Sequence, residues 1–263
     1  MPRAEARPRL LVLGGTAEAR DLAARVVDAG DFEVVTSLAG RTRRPAAVAG
    51  AVRTGGFGGA EGLAAYLERA GIDLVVDATH PFAADISAHA VEACAAAGVP
   101  RLVLARPPWP RRPGDRWIAA TDAAGAAAAL PGLARRAFLA LGRRGLTAFE
   151  KVRDIHFVVR LVEPPSVPLG LADCELVLGR GPFSLADERR LFARHRIEAV
   201  VSRQSGGGAA YAKIEAAREA GLPVVMIERP PPPPGPTAAS VDEALAWLAA
   251  GPEQMSVSGR VEP

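Results

Sequence analysis

Apolar residues along this chain gather in short unbroken runs, separated by longer segments with helical spacing. RLLVL at 9–13, FEVVTS at 32–37, DLVVD at 73–77 and RLVLA at 101–105 are rich in Val and Leu. None alternates cleanly between polar and apolar, which is the pattern of strands covered on both faces. After Thr16, residues Ala19, Leu22, Ala23, Val26 and Val27 recur at helical spacing and predict one buried face. Strands separated by helices predict a parallel, doubly wound α/β sheet, with ligands favoured at the strands' carboxyl ends.

The pattern also repeats. IDLVVDATHPFAADISAHAVEACAAAGVPRLVLARPPWP starts at Ile72, and IEAVVSRQSGGGAAYAKIEAAREAGLPVVMIERPPPP starts at Ile197. Each gives a strand, a polar loop, a helix ending in Ala-Gly, a turn with Pro, a second strand and a proline cluster. Upstream, FGGAEGLAAYLERAGI mirrors FSLADERRLFARHRI, and LLVLGGTAEARDL has a weaker counterpart in FLALGRRGLTAFEKV. TDAAGAAAAL and SVDEALAWLA both read as short helices, the second opened by a Ser240/Glu243 capping box. The repeat predicts two domains related by internal duplication, 1–131 and 132–250, with a cleft between them. The prolines of 229–236 predict a stiff connector, and 251–263 a disordered tail.

Composition narrows the function classes. Lys151 and Lys213 are the only lysines, so the basic charge is carried almost entirely by Arg, and the net charge is +3. Guanidinium groups suit carboxylates and phosphates, which permits an acidic small-molecule ligand. The arginines are dispersed and aromatic residues make up 5% of the chain, so no stacking platform for nucleic acid is apparent. Cys94 and Cys174 stand far apart in no metal-ligand spacing, and no metal site is expected. The charged N-terminus and the lack of a long apolar run predict a cytoplasmic protein with no membrane span.

Candidate chemistry starts at Gly14 and Gly15, where a strand turns into a helix. Free backbone N–H groups at such a turn can bind phosphate, aided by the helix dipole. Thr16 can cap the helix or donate a hydroxyl bond. The turn departs from G-x-G-x-x-G at Thr16 and Ala19, and Glu18 adds a negative charge unsuited to a phosphate; a tight strand–helix connection is the plain alternative. After the second strand stand Ser37, Arg41 and Thr42, with Arg43 and Arg44 beyond, where NAD-binding folds commonly carry an acidic residue. Arginine there suits a 2′-phosphate and leans to NADP; a solvated arginine-rich loop is the plain alternative.

Thr79 and His80 follow the strand at 73–77 and would face the cleft, although a lone histidine is more often structural than catalytic. In the second domain, Arg203, Ser205, Gly206 and Gly207 open a glycine-rich loop able to receive an anion. Lys213 falls two turns into the following helix, where it is either a functional ammonium or a surface lysine. GRGPF at 179–183 is a further glycine turn after a strand.

Taken together, LGGTAEAR, SLAGRT, DATHPFA, GRGPFS and QSGGG…AKIEAARE…GLPVVMIERP resemble, in that order, the precorrin-6A reductases of cobalamin biosynthesis. The resemblance spans 10–250. It implies two Rossmann-like domains lacking the standard glycine fingerprint and exchanging a terminal strand. It also implies NADPH-dependent reduction of a carbon–carbon double bond in the corrin precursor, giving precorrin-6B. Gly14, Gly15, Thr16 and Ala17 would then meet the cofactor phosphates, Ser37, Arg41 and Thr42 its ribose end, and Thr79 and His80 the nicotinamide. Arg203, Ser205, Gly206, Gly207 and Lys213 would face the polycarboxylate substrate, with His80 or Lys213 as proton source. A cobalt-bearing substrate is one alternative, and a nucleotide-sensing or tetrapyrrole-binding module without turnover is another. A short-chain dehydrogenase fits poorly, since Tyr211 and Lys213 lack its Tyr-x-x-x-Lys spacing.

Overall fold

A computed structural model describes residues 7–40 and 46–251. The chain divides into two compact units, Met1–Arg106 with Pro230–Pro263, and Pro107–Arg229.

The first unit runs β1 (Arg9–Leu13), α1 (Ala17–Ala29), β2 (Glu33–Leu38), β3 (Ala51–Thr54), α2 (Gly59–Arg69), β4 (Leu74–Asp77), α3 (Ala84–Ala97) and β5 (Arg101–Leu104). The second comprises β6 (Arg116–Ala120), α4 (Ala123–Ala128), β7 (Arg136–Ala140), β8 (His156–Leu161), β9 (Cys174–Leu178), α5 (Leu185–Arg194), β10 (Ala199–Arg203), α6 (Ala212–Glu219) and β11 (Pro223–Ile227). The chain then returns to the first unit as β12 (Thr237–Ala238) and α7 (Val241–Ala249).

Each unit holds a six-stranded sheet, ordered β12-β5-β4-β1-β2-β3 and β6-β11-β10-β7-β8-β9. Every pairing is parallel. The buried runs follow from that: successive side chains of a strand point to opposite faces, and both faces are covered. In β1, Leu10 and Val12 pack with Leu22, Val26 and Leu248 of α1 and α7. Leu11 and Leu13 pack on the other face with Leu63, Leu67 and Ala90 of α2 and α3. The second sheet buries Phe138, Val158, Val200 and Val224 against Phe192 and Ile214.

Three expectations need correction. The units part at 106/107 and 229/230, not at 131/132, because β6 pairs with β11 and β12 pairs with β5. Each sheet's last strand in the repeat is therefore supplied to the other sheet, the exchange the resemblance implies. Val27 is 36% exposed rather than on the buried face, which ends at Val26. Ser240 does cap α7, accepting from the Glu243 amide, but the Glu243 carboxylate accepts from Ala239, so the box is not reciprocal. Of 251–263, only Gly251 lies within the described residues.

Candidate active site

The Gly14–Gly15 turn is built by two different demands. The Gly14 amide donates to the Ser37 carbonyl at 2.9 Å, and a Cβ there would press Thr36 Cγ2 at 2.8 Å. Gly14 is thus required by packing against β2. Gly15 instead has φ +113°, a conformation open to glycine, with no atom of the described residues within 4 Å of where a Cβ would stand. Its bare backbone borders open space.

Thr16 is the N-cap of α1, its Oγ1 accepting from the Ala19 amide at 3.0 Å and donating to the Ala78 carbonyl at 2.8 Å. Both hydroxyl functions are engaged, so what this residue can offer a ligand is its amide. Helix geometry leaves the amides of the first turn without carbonyl partners. Glu18 in that turn pairs with Arg106 at 2.6 Å, which offsets the charge that would oppose an anion.

The β4–α3 corner is organised by Asp77, which is 2% exposed. Its Oδ1 accepts from the Thr79 amide at 3.1 Å and the Thr79 hydroxyl at 2.7 Å. Oδ2 is buried with no hydrogen-bond partner among the described residues. His80 Nδ1 accepts from the Phe82 amide at 3.2 Å, which assigns the proton of the neutral ring to Nε2.

At the end of β2, Ser37 Oγ accepts from Arg53 Nη1 at 2.9 Å. Arg53 also donates to the carbonyls of Gly55 (3.0 Å) and Gly56 (3.1 Å), and its Cζ lies 3.7 Å from the Phe57 ring centroid. Sequence reasoning passed over Arg53. The signal that could have found it is the parallel register that sets Ser37 opposite Arg53. Arg41 and Thr42 lie outside the described residues.

In the second unit, the loop after β10 is pinned to the segment opening that unit. Gln204 and Trp109 exchange two hydrogen bonds, at 3.0 and 3.1 Å. Trp109 Nε1 donates to the Gly207 carbonyl at 2.6 Å, and Arg229 bonds the carbonyls of Gln204 and Pro107. Gly206 and Gly207 both have positive φ, and a Cβ at Gly206 would overlap Arg229 Nη2 and the Pro107 carbonyl. Ser205 is buried, its amide donating to the Arg203 carbonyl at 2.7 Å. A cavity of about 390 Å³ opens here, lined by Trp109, Arg112, Leu185, Gly207, Gly208, Tyr211 and Glu215 among others.

Lys213 is the second residue of α6, not two turns in, because the turn of the glycine run extends to Tyr211. It is 4% exposed, its Nζ donating to the Ala210 carbonyl at 2.6 Å and standing 5.1 Å from the Trp109 ring centroid. Burial pushes its pKa down to about 7; Arg160 lowers it further and Glu188 opposes. Those two side chains form a bidentate pair at 2.9 Å, 10% and 3% exposed, and Arg160 stacks on Phe183 of the GRGPF turn at 3.9 Å. The Tyr211 hydroxyl accepts from Arg218 at 2.6 Å, so Tyr211 and Lys213 bond different partners, unlike a dehydrogenase pair.

The profile of the family described as precorrin-6x reductase CbiJ/CobK matches residues 9–249. The chain belongs to this family. It is 48% identical over 241 residues to a precorrin-6A reductase of Rhodococcus erythropolis, covering 91% of this chain and 97% of that one. A cobalt-precorrin-6A reductase of Priestia megaterium is 30% identical, covering 84% and 90%. A solved structure described as CobK precorrin-6A reductase superposes with a TM-score of 0.89 at 47% identity, covering 92% of this chain and 96% of that one.

In this CbiJ/CobK chain, Gly14, Gly15, Thr16, Ala17, Ser37, Thr79 and His80 gather at or beyond the carboxyl ends of β1, β2 and β4. Arg203, Ser205, Gly206 and Gly207 follow β10 in the other unit. Lys213 is not on the cavity wall but buried beside Trp109, which is. Among the described residues, no cluster of three or more His, Cys, Asp or Glu could hold a metal, and no helix is long and apolar enough to cross a membrane.

Proposed function

We propose that this protein reduces one carbon–carbon double bond of precorrin-6A to give precorrin-6B, with NADPH as electron donor, in the cytoplasm. The observation that carries the reading is the family match over residues 9–249. The metal-free substrate is favoured over its cobalt form by the gap between 48% and 30% identity to the relatives named for each.

The first unit suits a dinucleotide at Gly15, where bare backbone with positive φ meets open space beside a capped helix start. The amides of Gly15, Thr16 and Ala17 would hold the phosphates, supported by the α1 dipole. Gly14 serves by letting β1 approach β2. Ser37, with Arg41 and Thr42, would hold the ribose end, and Asp77 would fix Thr79, and the Phe82 amide the ring of His80, near the nicotinamide. When bound, the cofactor supplies a hydride.

The substrate is a polycarboxylate; Arg203 and Gly207 would receive its acidic side chains with charge-assisted and amide hydrogen bonds, while Ser205 and Gly206, both buried, would hold the loop that presents them. Two groups can hold the proton that accompanies reduction: His80 at Nε2, and Lys213 at Nζ, which is poised close to neutrality by burial.

The test is NADPH absorbance with metal-free and cobalt-bearing precorrin-6A side by side. Faster oxidation with the metal-free substrate is expected, and no oxidation with either would leave only a binding role. Single-turnover rates of His80→Gln and Lys213→Met then decide the donor. Unchanged rates in both would assign the proton to water or another group.

A further inference from the structure

We infer that Arg53 is the residue by which this chain distinguishes a 2′-phosphorylated nucleotide from one bearing a free 2′-hydroxyl. The inference rests on the cofactor reading above and deepens it. β3 is the outer strand beside β2, and its register sets Arg53 opposite Ser37 and Thr54 opposite Leu38. The guanidinium therefore stands at the carboxyl end of the strand that follows the Gly15 turn. In open parallel sheets that is where the ribose of a bound nucleotide falls, and where an acidic residue selects a free 2′-hydroxyl. Here β2 ends in Ser37 and Leu38, neither of which would repel a phosphate.

What surrounds Arg53 points the same way. Its partners are the Ser37 hydroxyl, the carbonyls of Gly55 and Gly56, and the face of Phe57. Among the described residues all of these partners are neutral, so they orient the cation without cancelling it. A guanidinium held by three acceptors and a ring has little freedom left to lose when an anion arrives, and its planar fork matches a phosphate. No atom of the described residues lies within 4 Å of where a Cβ would stand on Gly55, Gly56 or Gly58, so the turn that carries two of the Arg53 acceptors adds no bulk beside it. The rings of Phe57, at 3.7 Å, and Tyr66, at 5.1 Å from Cζ, hold the guanidinium plane in place, while its hydrogen-bonded edge lies along the glycine turn.

The test is equilibrium binding of NADPH and NADH to the full-length protein, followed by nucleotide fluorescence without substrate. A charge-assisted contact to phosphate corresponds to about 10- to 100-fold in affinity. Wild type should prefer NADPH by at least about tenfold, and Arg53→Met should erase most of that preference while NADH binding changes less than about twofold. Arg53→Lys should retain part of it. Phe57→Leu, which keeps the charge but loosens it, should cost several-fold for NADPH alone and covers the case in which Arg53→Met does not fold. An undiminished preference in Arg53→Met or, if that fails to fold, in Phe57→Leu overturns the inference and leaves the cofactor reading standing, as does equal weakening of both nucleotides. Wild type that binds neither nucleotide overturns both.

Discussion

The Thr16 hydroxyl and the Ala78 carbonyl lie 2.8 Å apart, joining the first turn of α1 to the corner that carries Thr79 and His80. One buried side chain caps a helix and ties down a neighbouring loop. Thr16→Val keeps the shape and removes both bonds. Loss of a cap plus a stranded carbonyl should cost about 1–3 kcal/mol. Urea denaturation should show a lower midpoint, largely restored in Thr16→Ser; an unshifted midpoint would mean the hydroxyl is idle.

Two glycines should respond differently to alanine. At Gly206 the new methyl meets Arg229 and a backbone carbonyl that cannot swing away, so Gly206→Ala should destabilise by about 2 kcal/mol or more. At Gly15 the methyl meets no atom of the described residues, and the cost is the φ alone, about 1–3 kcal/mol. The Gly15 variant should therefore stay folded at 25 °C while binding NADPH more weakly. Calorimetric titration and thermal melts of both variants decide between these outcomes.

The Arg160–Glu188 pair is nearly sealed from water. Glu188→Ala leaves a buried cation without its carboxylate and should cost about 3–5 kcal/mol, whereas Arg160→Met with Glu188→Leu should recover most of that loss. A double variant as unstable as the single one would show that the pair is held for more than charge balance.

Lys213 sets a pH dependence of definite sign. Its pKa in the fold is about 7, below its ordinary value of 10.5, because burial penalises the charged form. Between those values the unfolded chain binds more protons than the folded one, so this group's contribution rises with pH from about 7 to about 10.5 and is lost as pH falls through 7. Lys213→Met removes that slope. The difference in urea midpoint between pH 6.5 and pH 9.5 should therefore be smaller in the variant than in wild type. Equal differences would place the ammonium in contact with water.

Much of this architecture is written locally. RLLVL announces a strand buried on both faces, and Thr16 announces a cap, since each depends on neighbours a few residues away. What escapes the sequence depends on distant partners. The repeat runs on through residues 116–128, yet β6 pairs with β11 more than a hundred positions later, so duplication and spatial division disagree. Arg53 becomes conspicuous only once β3 is known to lie in register with β2. The depth of Lys213 likewise depends on Trp109, brought to it by the Gln204 bridge.

The exchanged strands impose an order on synthesis. Every strand of the second sheet has been translated by Ile227, but the first sheet still lacks the edge that Thr237–Ala238 lays beside β5, and the hydrophobic seal of Leu248. The amino-terminal unit, begun first at the ribosome, is the last to be finished. A message cut short after codon 229 would release a polypeptide whose later-made half is whole and whose earlier-made half stays open.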